Sequence, residues 1–148
     1  MTVTIRPARA EDFSALADLW VGSWQSTMPG IDFAARRPWF LDHMAALQAA
    51  GAHVLVAASP DKLLGFVTVD PATQVMDQLA VADVHAGKGV GSQLIEAAKA
   101  RSPSGLRLSV NTDNPRAISL YRRHGFMVVG EGRNARSGLP IIDMIWQP

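Results

Sequence analysis

Three glycines at every second position, Gly87, Gly89 and Gly91, lie between the strand-like run Val75–Val81 and a helix-forming segment. Such a junction demands a strand, a turn free to take positive φ, and a helix whose first N–H groups lack internal partners. A ligand can approach the backbone closely there, and the helix start attracts phosphate oxygens. A diphosphate is the natural occupant, with a tight ligand-free connection as the plain alternative. Two familiar phosphate loops fail. Ser92 follows Gly91, so GxGxxG is not completed, and a Walker loop would need glycine at Ala82 and Ser or Thr at Gly89.

Around this junction the hydrophobic period switches between two and 3.6. Residues 2–6 read as a short strand stopped by Pro7, and Glu11–Val21 as a helix with Phe13, Leu16, Leu19 and Trp20 in one stripe. A loop is expected from Gly22 to Gly30, then a helical region capped by Asp32 and divided by Pro38 into a turn and a longer helix ending before Gly51. Ala52–Ala58 and Leu63–Val69 form a predicted hairpin, and Val75–Val81 a third strand. Gly89–Arg101 reads as a helix, Leu106–Val110 as a strand, and Pro115–His124 as a helix opened by Asn114 and closed by Gly125. Phe126–Gly130 and Pro140–Trp146 complete the chain as strands.

This order implies an α+β fold, α/β-like, with a mixed central sheet of roughly seven strands and about four helices on its two faces. A length of 148 residues fits one domain, 1–148. Fourteen Lys and Arg against 13 Asp and Glu leave a net charge of +1. That balance removes the electrostatic case for nucleic acid or an acidic membrane as partner. With no cysteine, disulfides, thiolate zinc sites and a Cys nucleophile are excluded. His43, His53, His85 and His124 show no ligand spacing, so no metal is expected. Nothing resembles a signal peptide, and no apolar stretch reaches the ~20 residues that span a bilayer, so the expected location is the cytoplasm.

A second segment narrows the reading. Asn114, Ala117 and Tyr121 share one helix, and Gly125-Phe126 follows it into a strand. Together with the glycine turn, this resembles the GNAT superfamily of acyl-CoA-dependent N-acetyltransferases. Members are similar in a strand, an Arg/Gln-x-x-Gly-x-Gly/Ala turn and a helix, followed by an Asn-x-x-Ala-x-x-x-Tyr helix and Gly-Phe. The element order matches along essentially the whole chain. The turn departs from the pattern at Ala86, where members usually carry Arg or Gln. Contacts through backbone N–H survive that change; a side-chain contact to the diphosphate does not, and Lys88 or Ser92 is left to replace it in part.

The resemblance implies acetyl-CoA as co-substrate, in a gap where strands Val75–Val81 and Leu106–Val110 splay. The pantetheine arm would pair along Leu79, Ala80 and Val81, and the diphosphate would sit on Ala86, Gly87, Lys88, Gly89, Val90, Gly91 and Ser92, near Asn114 and Ala117. It also implies Tyr121 as general acid toward the thioester sulfur; packing of its helix on the sheet is the alternative. Asp77 shares strand parity with Leu79 and is the candidate base, against a merely solvated or salt-bridged carboxylate. By the same parity Gln78 faces away, and Asp143 is a weaker candidate. Trp24, Gln25 and Met28 are expected at the acceptor pocket or, alternatively, as a core plug between helices. Trp20, Trp39 and Trp146 are expected in the core. The predicted reaction is direct transfer of acetyl to a primary amine, on a small molecule or a peptide, through a ternary complex. A non-catalytic acyl-CoA sensor is the other functional class. The resemblance leaves a homodimer open.

Overall fold

The computed structural model describes residues 2–82 and 89–148. Its elements run β1 (Thr4–Pro7), α1 (Phe13–Thr27), α2 (Arg37–Ala49), β2 (His53–Ala58), β3 (Leu63–Val69) and β4 (Leu79–Val81) in the first half. The second half is α3 (Val90–Arg101), β5 (Leu106–Asn111), α4 (Pro115–Arg123), β6 (Met127–Arg133) and β7 (Pro140–Trp146). Short 3₁₀ turns precede α1 and α2.

The expected central sheet is built as two antiparallel sheets, ordered β1-β2-β3-β4 and β5-β7-β6. A parallel bridge between Val75 and Arg107 joins them. There Met76 N–H donates to the Arg107 carbonyl at 2.9 Å, and Arg107 N–H to the Gln74 carbonyl at 2.9 Å. Beyond the bridge β4 and β5 diverge. In β2, Leu55 and Ala57 enter the core beneath α3, while Val54 and Val56 enter the core beneath α1 and α2. Successive side chains thus feed opposite faces, and both faces are covered by helix.

Two boundaries differ from the expected ones for identifiable reasons. The expected loop from Gly22 is helix through Thr27, so Trp24 and Gln25 sit on α1. One helical glycine costs only ~1 kcal/mol. Burial of Leu16 and Trp20, and stacking of Trp24 on Phe33 (centroids 5.9 Å apart), outweigh it. The strand expected over Val75–Val81 is regular only from Leu79, because the Gln78 N–H bonds the Thr68 hydroxyl at 2.9 Å instead of a ladder carbonyl.

The first turn of the fold is tied by a bidentate pair. Arg6 Nη1 and Nη2 donate to the two Asp12 oxygens at 2.8 and 3.3 Å, and Arg9 N–H adds a bond of 2.7 Å. The Arg6 guanidinium holds the Asp12 carboxyl below the usual carboxylate range, against the opposing effect of burial. Among the described residues, no helix is long and apolar enough to cross a membrane.

Gly22 is exposed in α1, and a Cβ there would meet nothing within 4 Å. Gly22→Ala is therefore expected to stabilise the chain by ~0.5–1 kcal/mol, a rise of a few degrees in Tm by calorimetry. Asp12 contributes stability above its unfolded pKa of about 3.9, and that contribution is lost as pH falls through the lowered folded value. Asp12→Asn is expected to cost ~1–3 kcal/mol in urea at about pH 7, and the cost should shrink as pH falls through the lowered folded value.

Candidate active site

The open edge of β4 is the foundation of the site. Thr68 N–H donates to the Gln78 carbonyl and Ala82 N–H to the Leu64 carbonyl, so alternate residues of this run bond to β3. By the antiparallel alternation, Leu79 and Val81 direct their backbone groups to the other edge, where β5 has diverged. An extended ligand can pair there as an added strand.

That edge lines a cavity of about 340 Å³ together with Gly89, Gly91 and Ser92 of α3 and Asn114, Ala117 and Tyr121 of α4. Gly89 is the N-cap of α3 at φ 84°, with no side chain to cap the first turn. Among the described residues no side chain caps the leading N–H groups, which suits them to an anion. A Cβ on Gly91 would lie 3.0 Å from Leu120 Cδ2, so the leucine tip of α4 would have to shift to admit one. Arg116 and Arg123 add cationic side chains to the same cavity. An edge of free backbone, an uncapped helix start and two arginines fit an extended acyl carrier that bears phosphates. Ala86, Gly87 and Lys88 lie outside the described residues.

Asn114 has a visible local duty. Its Oδ1 accepts from Ala117 N–H at 3.2 Å and caps α4. Tyr121 follows Ala117 by one turn on the same face and packs on Phe126 with centroids 5.5 Å apart. Its hydroxyl is buried, has no hydrogen-bond partner among the described residues, and its acidity is suppressed by burial far above the ordinary range. The phenol is therefore held in its protonated form. The Ser92 hydroxyl is 2.9 Å from His124 Nε2, and His124 Nδ1 is 3.3 Å from Glu96, which fixes the start of α3 against the end of α4.

Asp77 lies on the far side of Gln78, in a groove of about 750 Å³ formed with Trp39, His43, Arg107, Ser109, Arg136 and Asp143. Its Oδ2 is 2.6 Å from His43 Nε2. Gln78 is not turned away as strand parity predicts. Its Nε2 donates to Asp77 at 3.2 Å, and its Oε1 accepts from Trp20 Nε1 at 3.3 Å. The broken ladder at Thr68 brings the two neighbouring side chains together. Asp77 and Tyr121 line different cavities, with Gln78 and Leu79 between them. Asp143 accepts from the Ser109 hydroxyl at 2.6 Å.

Trp24 and Met28 line a smaller hollow of about 110 Å³ that shares Gln78, Trp39 and Arg136 with the groove or its border. Gln25 braces the chain after α1 instead: it donates to the Ile31 carbonyl at 2.7 Å and accepts from Phe33 N–H at 3.0 Å. Trp39 is half-buried at the groove, not in the core, with the Arg136 guanidinium 3.9 Å from its ring centre. Sequence reasoning missed His43, although Trp39 and His43 are four residues apart on one helix face and stack at 4.6 Å. Among the described residues, no group of three or more His, Asp or Glu is placed to hold a metal ion.

A family model described as "Acetyltransferase (GNAT) domain" matches residues 50–128. The chain is 28% identical over 149 residues to the peptidyl-lysine N-acetyltransferase YjaB of Salmonella typhimurium, covering 99% of each. The solution structure of apo-form YjaB from Escherichia coli superposes with a TM-score of 0.78 at 27% identity, over 99% of this chain and 98% of that one. The PaiA N-acetyltransferase of Thermoplasma acidophilum, solved in complex with coenzyme A, shares the fold with a TM-score of 0.79 at 21% identity and full coverage of both chains.

Gly89→Glu sets a carboxylate at the uncapped helix start. Nothing within 4 Å obstructs a Cβ there, so the effect arises from charge and from the strained φ rather than from crowding. A carboxylate at a helix N-terminus occupies the amides a phosphate would use. Acetyl-CoA affinity by titration calorimetry is expected to fall at least about tenfold; undiminished affinity would remove the diphosphate from this position.

Proposed function

The chain belongs to the GNAT acetyltransferase family, and from that premise we propose that it moves acetyl from acetyl-CoA directly onto a lysine side-chain amine, with Tyr121 as general acid. The observation that carries this reading is a single cavity holding the free edge of β4, the uncapped start of α3 and the Tyr121 phenol. Acetyl-CoA supplies an activated acyl group and a thiolate leaving group. The β4 edge would hold its extended arm, the first turn of α3 its diphosphate, and the N–H near Leu79 the oxyanion that develops on the acyl carbonyl.

Direct transfer is supported by the absence of cysteine from the chain, which removes the common thiol route to an acyl-enzyme. Tyr121 stays protonated because its burial disfavours phenolate, so it arrives at the leaving sulfur with its proton in place. A lysine acceptor is supported by the Salmonella relative, which is named for peptidyl-lysine, and by the width of the groove beyond Gln78. The whole chain, 1–148, acts as one catalytic domain in this reading. Lysine holds its proton firmly, with an ordinary pKa of about 10.4, so the acceptor side needs a base as well as a binding surface. Asp77 supplies the carboxylate of that side.

Tyr121→Phe tests the assignment cleanly, since the hydroxyl has no described partner whose loss would unfold the chain. We expect kcat to fall roughly 10²-fold, with acetyl-CoA affinity within about threefold and Tm nearly unchanged. Wild-type turnover by this variant removes the general-acid role. Acetyl-CoA binding without transfer to any of a broad set of amines indicates a sensor instead of an enzyme.

A further inference from the structure

We propose that His43, rather than Asp77, takes the proton from the acceptor amine, and that Asp77 is the positioning residue that orients its imidazole. This rests on the acetyl-transfer reading above and deepens its acceptor side.

The geometry has three parts. His43 stacks on Trp39 with ring centres 4.6 Å apart and planes 16° apart, which fixes the plane of the imidazole. Its Nε2 lies 2.6 Å from Asp77 Oδ2. An ionised carboxylate only accepts, so Nε2 carries a proton; in the neutral imidazole Nδ1 then keeps its lone pair. Nδ1 has no hydrogen-bond partner among the described residues, and His43 lines the groove. Asp77 Oδ2, by contrast, receives both His43 and the Gln78 amide, which Trp20 holds in turn. Two donors on one carboxylate oxygen hold Asp77 in place and suit it to orienting the imidazole.

Basicity points the same way. Imidazole and carboxylate ordinarily titrate near 6.5 and 3.9, so deprotonating lysine with an imidazole is less uphill by a factor of about 10²–10³. The other charged groups of the groove are already engaged: Arg136 on the Trp39 ring, Arg107 with the Thr73 carbonyl, and Asp143 with Ser109. On the helix that bears His43, the adjacent Asp42 is exposed. Asp77 precedes Leu79 by two residues, about 7 Å along an extended chain, so in this proposal the amine at His43 meets an acyl group held at the Leu79 end of the β4 edge.

The protons balance as follows. The acceptor ammonium gives one proton to His43 Nδ1, and the freed nitrogen pair forms the C–N bond to the acyl carbon. The C–S bond breaks, Tyr121 gives its proton to sulfur, and the phenolate recovers the second proton from the nitrogen. His43 releases its proton to solvent. Ammonium and acetyl thioester become amide, thiol and one proton.

The test uses the full chain with two acceptors, a short peptide bearing one internal lysine and an arylamine that is neutral at the assay pH. For the peptide, His43→Gln is expected to lower kcat about 10²-fold, with acetyl-CoA affinity within about threefold. For the arylamine, which has no ammonium proton to lose, the loss is expected to be at least tenfold smaller. The acid limb of the kcat/KM profile for the peptide should be lost in His43→Gln. In the ligand-free protein, long-range proton–nitrogen spectra of the imidazole should show hydrogen on Nε2 and a bare Nδ1, and Asp77→Asn should mix the tautomers. Equal losses with both amines, or a wild-type spectrum protonated on Nδ1, overturn the assignment. A His43→Gln enzyme that matches wild type on the peptide while Asp77→Asn fails returns the base role to Asp77. Should wild type acetylate neither amine, the acetyl-transfer reading itself falls.

Discussion

Everything functional in this chain depends on a sheet that is allowed to open. Val75 and Arg107 form the parallel bridge between its halves, and past that point the strands part. A backbone edge left unpaired inside a fold carries a cost unless water or a ligand satisfies it. Here the edge is kept from becoming a docking strand for other chains by what surrounds it, since Ser23 and Thr27 of α1 and Ala117 and Tyr121 of α4 line the same cavity. The opening then has two ends. One meets the start of α3, and the other runs toward Gln78 and Asp77, which line a separate groove with His43.

What was legible in the sequence is what is determined locally. Asn114 caps α4 through a bond to Ala117 three residues on, and Tyr121 follows at one turn, so spacing alone fixed their common face. The paired strands of the first sheet announced themselves through continuous apolar runs, and Gly89 marked a left-handed turn before a helix. The misread positions were decided at longer range. Gly22 looks like a helix end until Trp24 finds Phe33 beyond the next turn. Strand parity at Asp77 and Gln78 fails because of Thr68, ten residues upstream, whose hydroxyl captures a ladder N–H. His43 and Asp77 are 34 residues apart and meet only when α2 packs across the sheet. No periodicity encodes such a meeting.

Charge is distributed locally where the whole chain has almost none. A net of +1 provides little long-range field. Arg116 and Arg123 stand at the cavity that suits a phosphate-bearing carrier. Asp77 and Asp143 stand in the groove proposed for a cationic acceptor, where Arg107 and Arg136 are engaged with a carbonyl and an aromatic ring. Short-range placement of this kind survives physiological salt, since interactions within a few ångströms lie well inside a screening length of about 8 Å.

The two proton-handling groups sit in opposite surroundings, and the contrast constrains the order of events. Tyr121 is buried at the wall of its cavity, where burial disfavours its anion. In the proposed reaction its proton leaves as another is supplied, which would tie sulfur protonation to loss of the second proton from the attacking nitrogen. The His43–Asp77 pair lines an open groove, and a proton collected there can pass to water. The groove side can therefore be charged and discharged once per turnover, while the buried phenol returns to neutrality within it. Under the proposed mechanism, a fold that parts one strand pair would thus separate the proton that must leave from the proton that must be returned.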